Sequence, residues 1–501
     1  MINSLYDLLS KQAISFPQKI AIIEKRNYTY WQLLVHVLNF AAILRLNYTV
    51  KRGNIVGIFL PNVAAYALSV FAINKIGAIS LPLNIRLDTQ TIKFILQKAK
   101  VKLVITNKEF CGKLAKTRLP IGMIVVEDKR DYFDKQNLPK KIIEKEKSIK
   151  SPFRRDDVAI VVFTSGTTGA PKGAMMTNAN LLFNCQSCEE GFGLSKDDIH
   201  LIVVPLFHVT GLNSQLLASI YVGNSSVLLK KYHTQDVINL LEKYKVTIFI
   251  AVPSVFVLLL EKFKRGFANL TYLKKIGYAG APMPTQVIKD LKKLRPNLEC
   301  YNFYGLTETS SITTVLPDRY ALETPDSVGI PAPGIQVEVI DNKGKTLKNG
   351  QVGELLIKGG NIVKGYLHNK KITLKAIVNG WLHSGDLARI DDKGRVFLVG
   401  RINEIINRGG EKIYPIVLEN KLYNHPKILE AAVVGIPHRI FGEVVRACIV
   451  KKPRVKLLKK EVLTYCRITL AEYEIPEEIT FLDKLPRNAN GKIQKNILAS
   501  L

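Results

Sequence analysis

Ten consecutive positions, Thr164 to Gly173, combine four hydroxyl side chains (Thr164, Ser165, Thr167 and Thr168), three glycines (Gly166, Gly169 and Gly173) and one cation, Lys172. Glycines let a turn tighten until several backbone N–H groups face one point. Hydroxyls add donors and lysine adds charge, so the chemistry on offer is capture of an anion, phosphate above all. The run just upstream, Val158 to Phe163, is apolar and β-branched and predicts a buried strand. A strand delivering such a loop is a phosphate cradle. It is not the nucleotide loop that closes on Gly-Lys-Ser/Thr, because Ala170 and Pro171 separate Gly169 from Lys172.

Four further groups of residues carry chemical potential. His208 ends the run Pro205, Leu206, Phe207; near neutral pH it can carry either charge state, so it can meet a carboxylate without a fixed salt bridge. Tyr304, Gly305, Leu306, Thr307 and Glu308 place an aromatic face, a hydroxyl and a carboxylate within five positions. Ser384, Gly385 and Asp386 offer a carboxylate that accepts two hydrogen bonds side by side. Lys492 follows Gly491 near the C-terminus. Each is ambiguous alone. A histidine among apolar residues is usually core, Gly-x-Thr-Glu also reads as a helix cap, and one lysine in a lysine-rich chain is ordinarily solvated.

In order and together, these segments resemble the signature motifs of the adenylate-forming superfamily of acyl-CoA synthetases, amino-acid adenylation domains and luciferases. The resemblance spans essentially the whole chain and is nearest to CoA ligases for fatty or aryl acids. It implies ATP, Mg²⁺ and CoA as cofactor and co-substrates. It implies that Thr164, Ser165, Gly166, Thr167, Thr168, Gly169 and Lys172 hold phosphate, and that His208 gates the carboxylate site. Gly280, Ala281 and Pro282, with Asn302, Tyr304 and Gly305, would enclose the adenine. Thr307 would bond the α-phosphate, and Glu308, with Thr164, would serve Mg²⁺, a hard ion that keeps few protein ligands. Asp386 would bond both ribose hydroxyls and Arg401 ribose or phosphate. Gly409 and Gly410 would approach the pantetheine arm of CoA, and Lys492 would stabilise adenylate formation. The residue at the hinge is usually Asp or Lys in the superfamily; here it is Asn403.

The elements that must position these groups are legible in the hydrophobic pattern. Up to about residue 300, apolar strand-like runs (54–60, 80–83, 102–106, 158–163, 247–252) alternate with amphipathic stretches (3–14, 30–45, 88–99), which predicts an α/β domain of mostly parallel sheets with flanking helices. Residues 128–152 are charged and aperiodic and predict a surface connection. From Pro325 short strands recur with turn signals, predicting a small β-barrel subdomain. The last hundred or so residues predict a small α+β domain, which the resemblance implies is mobile. The resemblance implies the division 1–401, a hinge at 402–404, and 405–501.

The totals set outer bounds. A length of 501 residues implies more than one domain. Seventy-two Lys and Arg against 42 Asp and Glu give a net charge of +30, which favours anionic ligands, but the basic residues are scattered, so no nucleic-acid partner is expected and contact with an anionic membrane surface would be weak. Six cysteines are too few for a disulfide scaffold, and Cys185 with Cys188 reads as a packing pair on one helix face. The N-terminal residues lack a signal pattern and the longest apolar run, 63–73, is too short to span a bilayer, so a cytoplasmic protein is expected. The expected reaction joins a carboxylic acid to CoA through an acyl-AMP. Two other readings stay open: an acyl-AMP ligase loading an acyl carrier protein, although no carrier segment lies between the last motif and residue 501, and an adenylate-binding protein without catalysis.

Overall fold

The computed structural model describes residues 2–126, 154–164, 171–264, 270–281, 283–488 and 493–501. The segment 128–152, Ser165 to Gly169, Pro282 and Lys492 lie outside these. Two sheets dominate the first three hundred residues. In the six-stranded sheet, Leu103–Asn107, Ile55–Phe59, Ile79–Pro82 and Val158–Thr164 are neighbours in that order and run parallel. In the nine-stranded sheet, Ile199–Ile202, Ile248–Ala251, Lys275–Ala279 and Glu299–Tyr304 do the same. Their strands are buried on both faces, as parallel sheets covered by helices must be. The helices between them start where local chemistry dictates. Thr29 and Thr177 each accept from the third backbone N–H of the helix they cap, and the side chains of Gln32 and Asn180 bond back.

The chain departs from the sequence expectation in two places. Lys172 and Gly173, read as the end of a loop, begin a strand, Lys172–Thr177, that pairs antiparallel with Val158–Thr164 and brings Thr164 opposite Lys172. The expected barrel is a five-stranded antiparallel sheet in which Ile335–Ile340, Gly353–Gly359 and Trp381–Ile390 pair in turn. Val396–Arg401 and Ile377–Val378 both pair with Trp381–Ile390, so the described pairings form an open path.

From Ile406 onward a separate C-terminal domain forms around the long hairpin Ile428–His438 and Gly442–Lys451, flanked by the helices Pro415–Tyr423 and Lys459–Thr469. Its apolar clusters draw only on residues 406–499, so this unit has a core of its own. Cys185 and Cys188 are buried on one helix, where burial pushes the Cys188 thiol up to about 12; both are packing groups. Among the described residues no helix is long and apolar enough to cross a membrane.

Candidate active site

In the nine-stranded sheet the parallel strands all end at one edge, and the candidate residues leave from that edge. Gly280 and Ala281 follow Lys275–Ala279, and Gly305 follows Glu299–Tyr304; Ala279 pairs with Phe303, so the two turns are side by side. The segment leading to His208 leaves the strand Ile199–Ile202 at the same end. The carboxyl ends of parallel strands are where open α/β sheets bind ligands, because loops there diverge and leave a crevice. Gly280 has φ +81° and is exposed, which presents backbone to that crevice.

Asp386 is the hub. It is 4 % exposed, and the Tyr304 hydroxyl donates to its Oδ2 at 2.5 Å while Arg401 Nε lies 2.8 Å from its Oδ1. The pairing of Trp381–Ile390 with Val396–Arg401 sets Asp386 directly opposite Arg401, so sheet register makes the ion pair. Burial and the Asp386 charge raise the Tyr304 pKa, keeping the phenol a donor. Burial opposes the Arg401 charge, but Asp386 holds its pKa above the usual value. A carboxylate has about four lone-pair positions, so Asp386 can serve several donors at once.

Thr307–Thr309 forms a single 3-10 turn. Glu308 accepts a 2.8 Å hydrogen bond from the Tyr366 hydroxyl at Oε1, and its carbonyl accepts from Val363 N at 3.0 Å. The next two residues are backbone outliers: Ser310 has φ 55° and Ser311 φ 132°. Two adjacent non-glycine residues with positive φ store strain that only surrounding contacts can hold. Those contacts come from the segment after His208, where Leu212–Leu217 is wound as a π-helix. Asn213 Nδ2 donates to the Ser310 carbonyl at 2.8 Å and Ser214 Oγ to Ser311 Oγ at 2.7 Å, all four residues being buried. Widened helical turns of this kind concentrate at functional sites; here one ties the His208 segment to the Tyr304–Glu308 segment.

His208 begins the short helix ahead of that turn, its Nδ1 accepting from Thr210 N at 3.3 Å. Its ring is open to solvent, yet protein mass around it depresses its pKa below the ordinary value, as on the wall of a deep cleft. It is therefore neutral at pH 7. His200, fully buried in the strand behind it and 3.2 Å from Ser219 Oγ, is pushed down to about 3 by burial. Both pKa values lie below the unfolded value, so the unfolded chain binds more protons and stability falls as the pH drops below about 6.5; the fully buried His200 contributes about 1.4 kcal/mol per pH unit until its folded pKa is reached. The urea midpoint at pH 7.5, 6.5 and 5.5 should show this decline, and His200→Gln should flatten it; an unchanged slope would rule out His200 as its source.

Other candidates are placed as follows. Lys172 Nζ lies 5.8 Å over the Tyr366 ring, and Thr164 Oγ1 is 3.5 Å from the Lys172 carbonyl, so Thr164, Lys172, Tyr366 and Glu308 form one contiguous line. Asn302 stands apart: it is buried and its amide donates to the Ser327 carbonyl at 2.9 Å. Gly409 and Gly410, with φ +59° and +100°, make the two-residue turn between Ile406–Arg408 and Glu411–Ile413, the geometry that selects glycine in tight hairpins. Among the described residues no group of three or more His, Cys, Asp or Glu side chains converges. A single carboxylate with hydroxyl neighbours suits Mg²⁺, which takes its remaining ligands from phosphate and water, and does not suit a caged transition metal. Sequence reasoning missed Tyr366, Asn213 and the Ser310–Ser311 pair, because a lone tyrosine after a glycine and two serines carry no spacing signal.

The chain matches the family model for the AMP-binding enzyme over residues 9–367 and the model for the AMP-binding enzyme C-terminal domain over 417–492. It is 32% identical to a 2-succinylbenzoate–CoA ligase of Bacillus thuringiensis subsp. konkukian (strain 97-27), with 100% of this chain and 99% of the relative covered. It is 31% identical to a feruloyl-CoA synthase of Amycolatopsis sp, covering 93% and 92%. Among solved structures it resembles the o-succinylbenzoate CoA synthetase of Bacillus subtilis in complex with its acyl-adenylate intermediate, with TM-score 0.85, 28% identity and coverage of 98% and 97%; that enzyme has also been solved with ATP and a magnesium ion, at 27% identity, TM-score 0.85 and 98% of each chain. With matched models over most of its length and relatives above 30% identity end to end, the chain belongs to the AMP-binding enzyme family.

Proposed function

We propose that the protein is an ATP-dependent ligase that joins an aryl carboxylic acid to CoA through an acyl-AMP. The observation that carries the reading is the buried Asp386 hub with Tyr304 and Arg401, joined through the Tyr304–Glu308 segment to Glu308 in line with Tyr366 and Lys172. The aryl class is supported by the relatives, named for feruloyl and succinylbenzoyl groups.

A carboxylate is a poor electrophile and must be activated. Its oxygen attacks the α-phosphorus of ATP in line, the bond to the bridging oxygen breaks, and pyrophosphate leaves with the electron pair. The protein's task is to hold two anions in place and offset the charge that builds on the phosphate oxygens. Asp386 and Arg401 would fix the ribose, Gly280, Ala281 and the Tyr304 ring the adenine, and Thr307, Lys172 and the 164–169 loop the phosphates. Neutral His208 would border the carboxylate without neutralising it. Mg²⁺ on Glu308 would supply charge compensation at the phosphates. The thiol of CoA then attacks the carbonyl carbon of the mixed anhydride, AMP leaves, and the thiol proton passes to solvent. We assign the first half-reaction to Lys492 and the second to the face carrying Gly409 and Gly410, the C-terminal domain turning about residues 402–404 between them. The cytosol is the compartment we propose, a reading supported by six cysteines that are all free thiols.

Products from purified protein, ATP, Mg²⁺ and a panel of aryl and fatty acids, with and without CoA, test the whole reading by mass spectrometry. An aryl-CoA thioester is expected. Acyl-AMP that accumulates while CoA is ignored would move the acceptor to a carrier protein, and no product from any acid would overturn the ligase reading. Lys492→Ala should lower adenylate formation by about a hundredfold or more, as loss of a charged transition-state contact does, and leave thioester formation from supplied acyl-AMP near the parent rate. Equal loss of both steps would refute the division of labour.

A further inference from the structure

Residues 364–367 extend the strand Lys172–Thr177 sideways. Met175 N donates to the Gly365 carbonyl, Lys364 N to the Met175 carbonyl, both at 2.9 Å, and Leu367 N to the Gly173 carbonyl at 2.7 Å. Tyr366 N donates to Thr373 Oγ1 at 2.9 Å. Backbone bonds on both sides therefore fix the Tyr366 ring, which is 8 % exposed, between Lys172 and Glu308. Its hydroxyl donates to Glu308 Oε1 at 2.8 Å, and Val363 N, three residues earlier, donates to the Glu308 carbonyl. One short segment grips Glu308 by main chain and by side chain.

We propose that Tyr366 is a positioning residue that engages Glu308 Oε1 and so orients Oε2 as the acceptor for the divalent cation that accompanies ATP. This rests on the reading of Glu308 as the metal carboxylate. A glutamate in a solvated cleft samples several rotamers, and a cation that takes only one protein carboxylate gains from having that one fixed before it arrives. The Tyr366 bond holds the carboxylate and the Val363 bond holds the backbone that carries it, which together remove most of that freedom. A phenol is un-ionised near neutral pH, so the Tyr366 hydroxyl donates its hydrogen bond to the carboxylate. The ring also lies under Lys172, which places the aromatic face against the cation that opens the strand Lys172–Thr177 and the hydroxyl against the proposed metal carboxylate.

Tyr366→Phe removes the hydroxyl and keeps the ring, its packing and its contact with Lys172. The probe is Mn²⁺, its binding to the protein with α,β-methylene-ATP followed by electron paramagnetic resonance, beside the Mg²⁺ concentration that half-saturates adenylate formation. Tyr366→Phe should weaken Mn²⁺ binding roughly tenfold, the usual size of one lost charge-assisted hydrogen bond. It should raise the Mg²⁺ requirement by a similar factor and leave the KM for the acid and the thioester step from supplied acyl-AMP unchanged. Glu308→Gln separates the two layers of argument. If it lowers Mn²⁺ binding while Tyr366→Phe does not, the positioning role is overturned and the reading of Glu308 survives. If neither variant alters Mn²⁺ binding, the reading of Glu308 itself falls. If Tyr366→Phe slows both half-reactions equally and lowers the melting temperature, Tyr366 is a packing residue and the proposal is wrong.

Discussion

Gly305→Ala should stop adenylate formation and destabilise the protein by about 3 kcal/mol or more, the upper range for forced overpacking. A Cβ at this position would sit 1.5 Å from the Ser311 carbonyl oxygen and 2.6 Å from its carbon. Both are backbone atoms, so no rotamer change relieves the clash. The Ser310–Ser311 backbone is held from three directions. Asn213 and Ser214 bond the serines, Asn184 Oδ1 accepts from Ile312 N at 3.0 Å, and Thr313 N donates to the Tyr304 carbonyl at 2.8 Å. Relief would require releasing a strained turn from its anchors. Tyr304 adjoins Gly305 and Glu308 lies two residues before that turn, so the displacement reaches both the hydroxyl on Asp386 and the carboxylate on Tyr366. Thermal unfolding and acid-dependent ATP–pyrophosphate exchange should both fall. A variant that unfolds at the parent temperature with normal exchange would mean that the turn yields freely, and the close approach would then have no functional weight.

That turn also marks how far the sequence could be read. The strands that aim the site were legible because burial on both faces writes a continuous apolar run, as in Ile55–Phe59 and Ile248–Ala251. Asp386 could be singled out as a carboxylate in a short motif, but its partners could not, since Arg401 reaches it through the register of two antiparallel strands fifteen positions apart. The strand Lys172–Thr177 was hidden by the glycine- and hydroxyl-rich sequence that precedes it; its pairing with Val158–Thr164 is a tertiary choice that overrides local turn chemistry. The π-helix Leu212–Leu217 has no composition of its own, because the extra residue per turn is paid for by Asn213 and Ser214 finding Ser310 and Ser311, nearly a hundred positions away. Serines with positive φ are invisible in sequence for the same reason: serine is not glycine, and only surrounding contacts make the conformation tolerable. What the motifs mark, then, are the groups proposed to touch ligand. What they omit are the groups that hold those in place.

Asp386→Ala should show the second large effect, on nucleotide capture and on stability together. In the folded protein the Asp386 side chain is almost fully enclosed, whereas the Arg401 side chain keeps about a third of its surface. Removing the carboxylate leaves a buried phenol and a half-buried guanidinium without it. Breaking a fully buried ion pair costs about 3–5 kcal/mol; exposure of Arg401 to solvent screens part of that, so about 2 kcal/mol is expected here. The proposed ribose contacts add a separate loss. Hydrogen bonds to a charged acceptor are worth about 1.5–3 kcal/mol each, so losing two should weaken ATP binding by a hundredfold or more. Asp386→Asn divides the two contributions. Its amide oxygen can still accept from Tyr304, but its N–H₂ faces Arg401 as donor against donor, so the ion pair is lost while the shape is kept. ATP and 2′-deoxy-ATP affinities, measured by calorimetry for the parent and both variants, decide the matter. The parent should prefer ATP over 2′-deoxy-ATP about tenfold or more, and both variants should lose most of that preference. A parent that binds the two nucleotides equally, or variants that lose stability and keep the preference, would show that Asp386 braces Tyr304 and Arg401 without touching ribose.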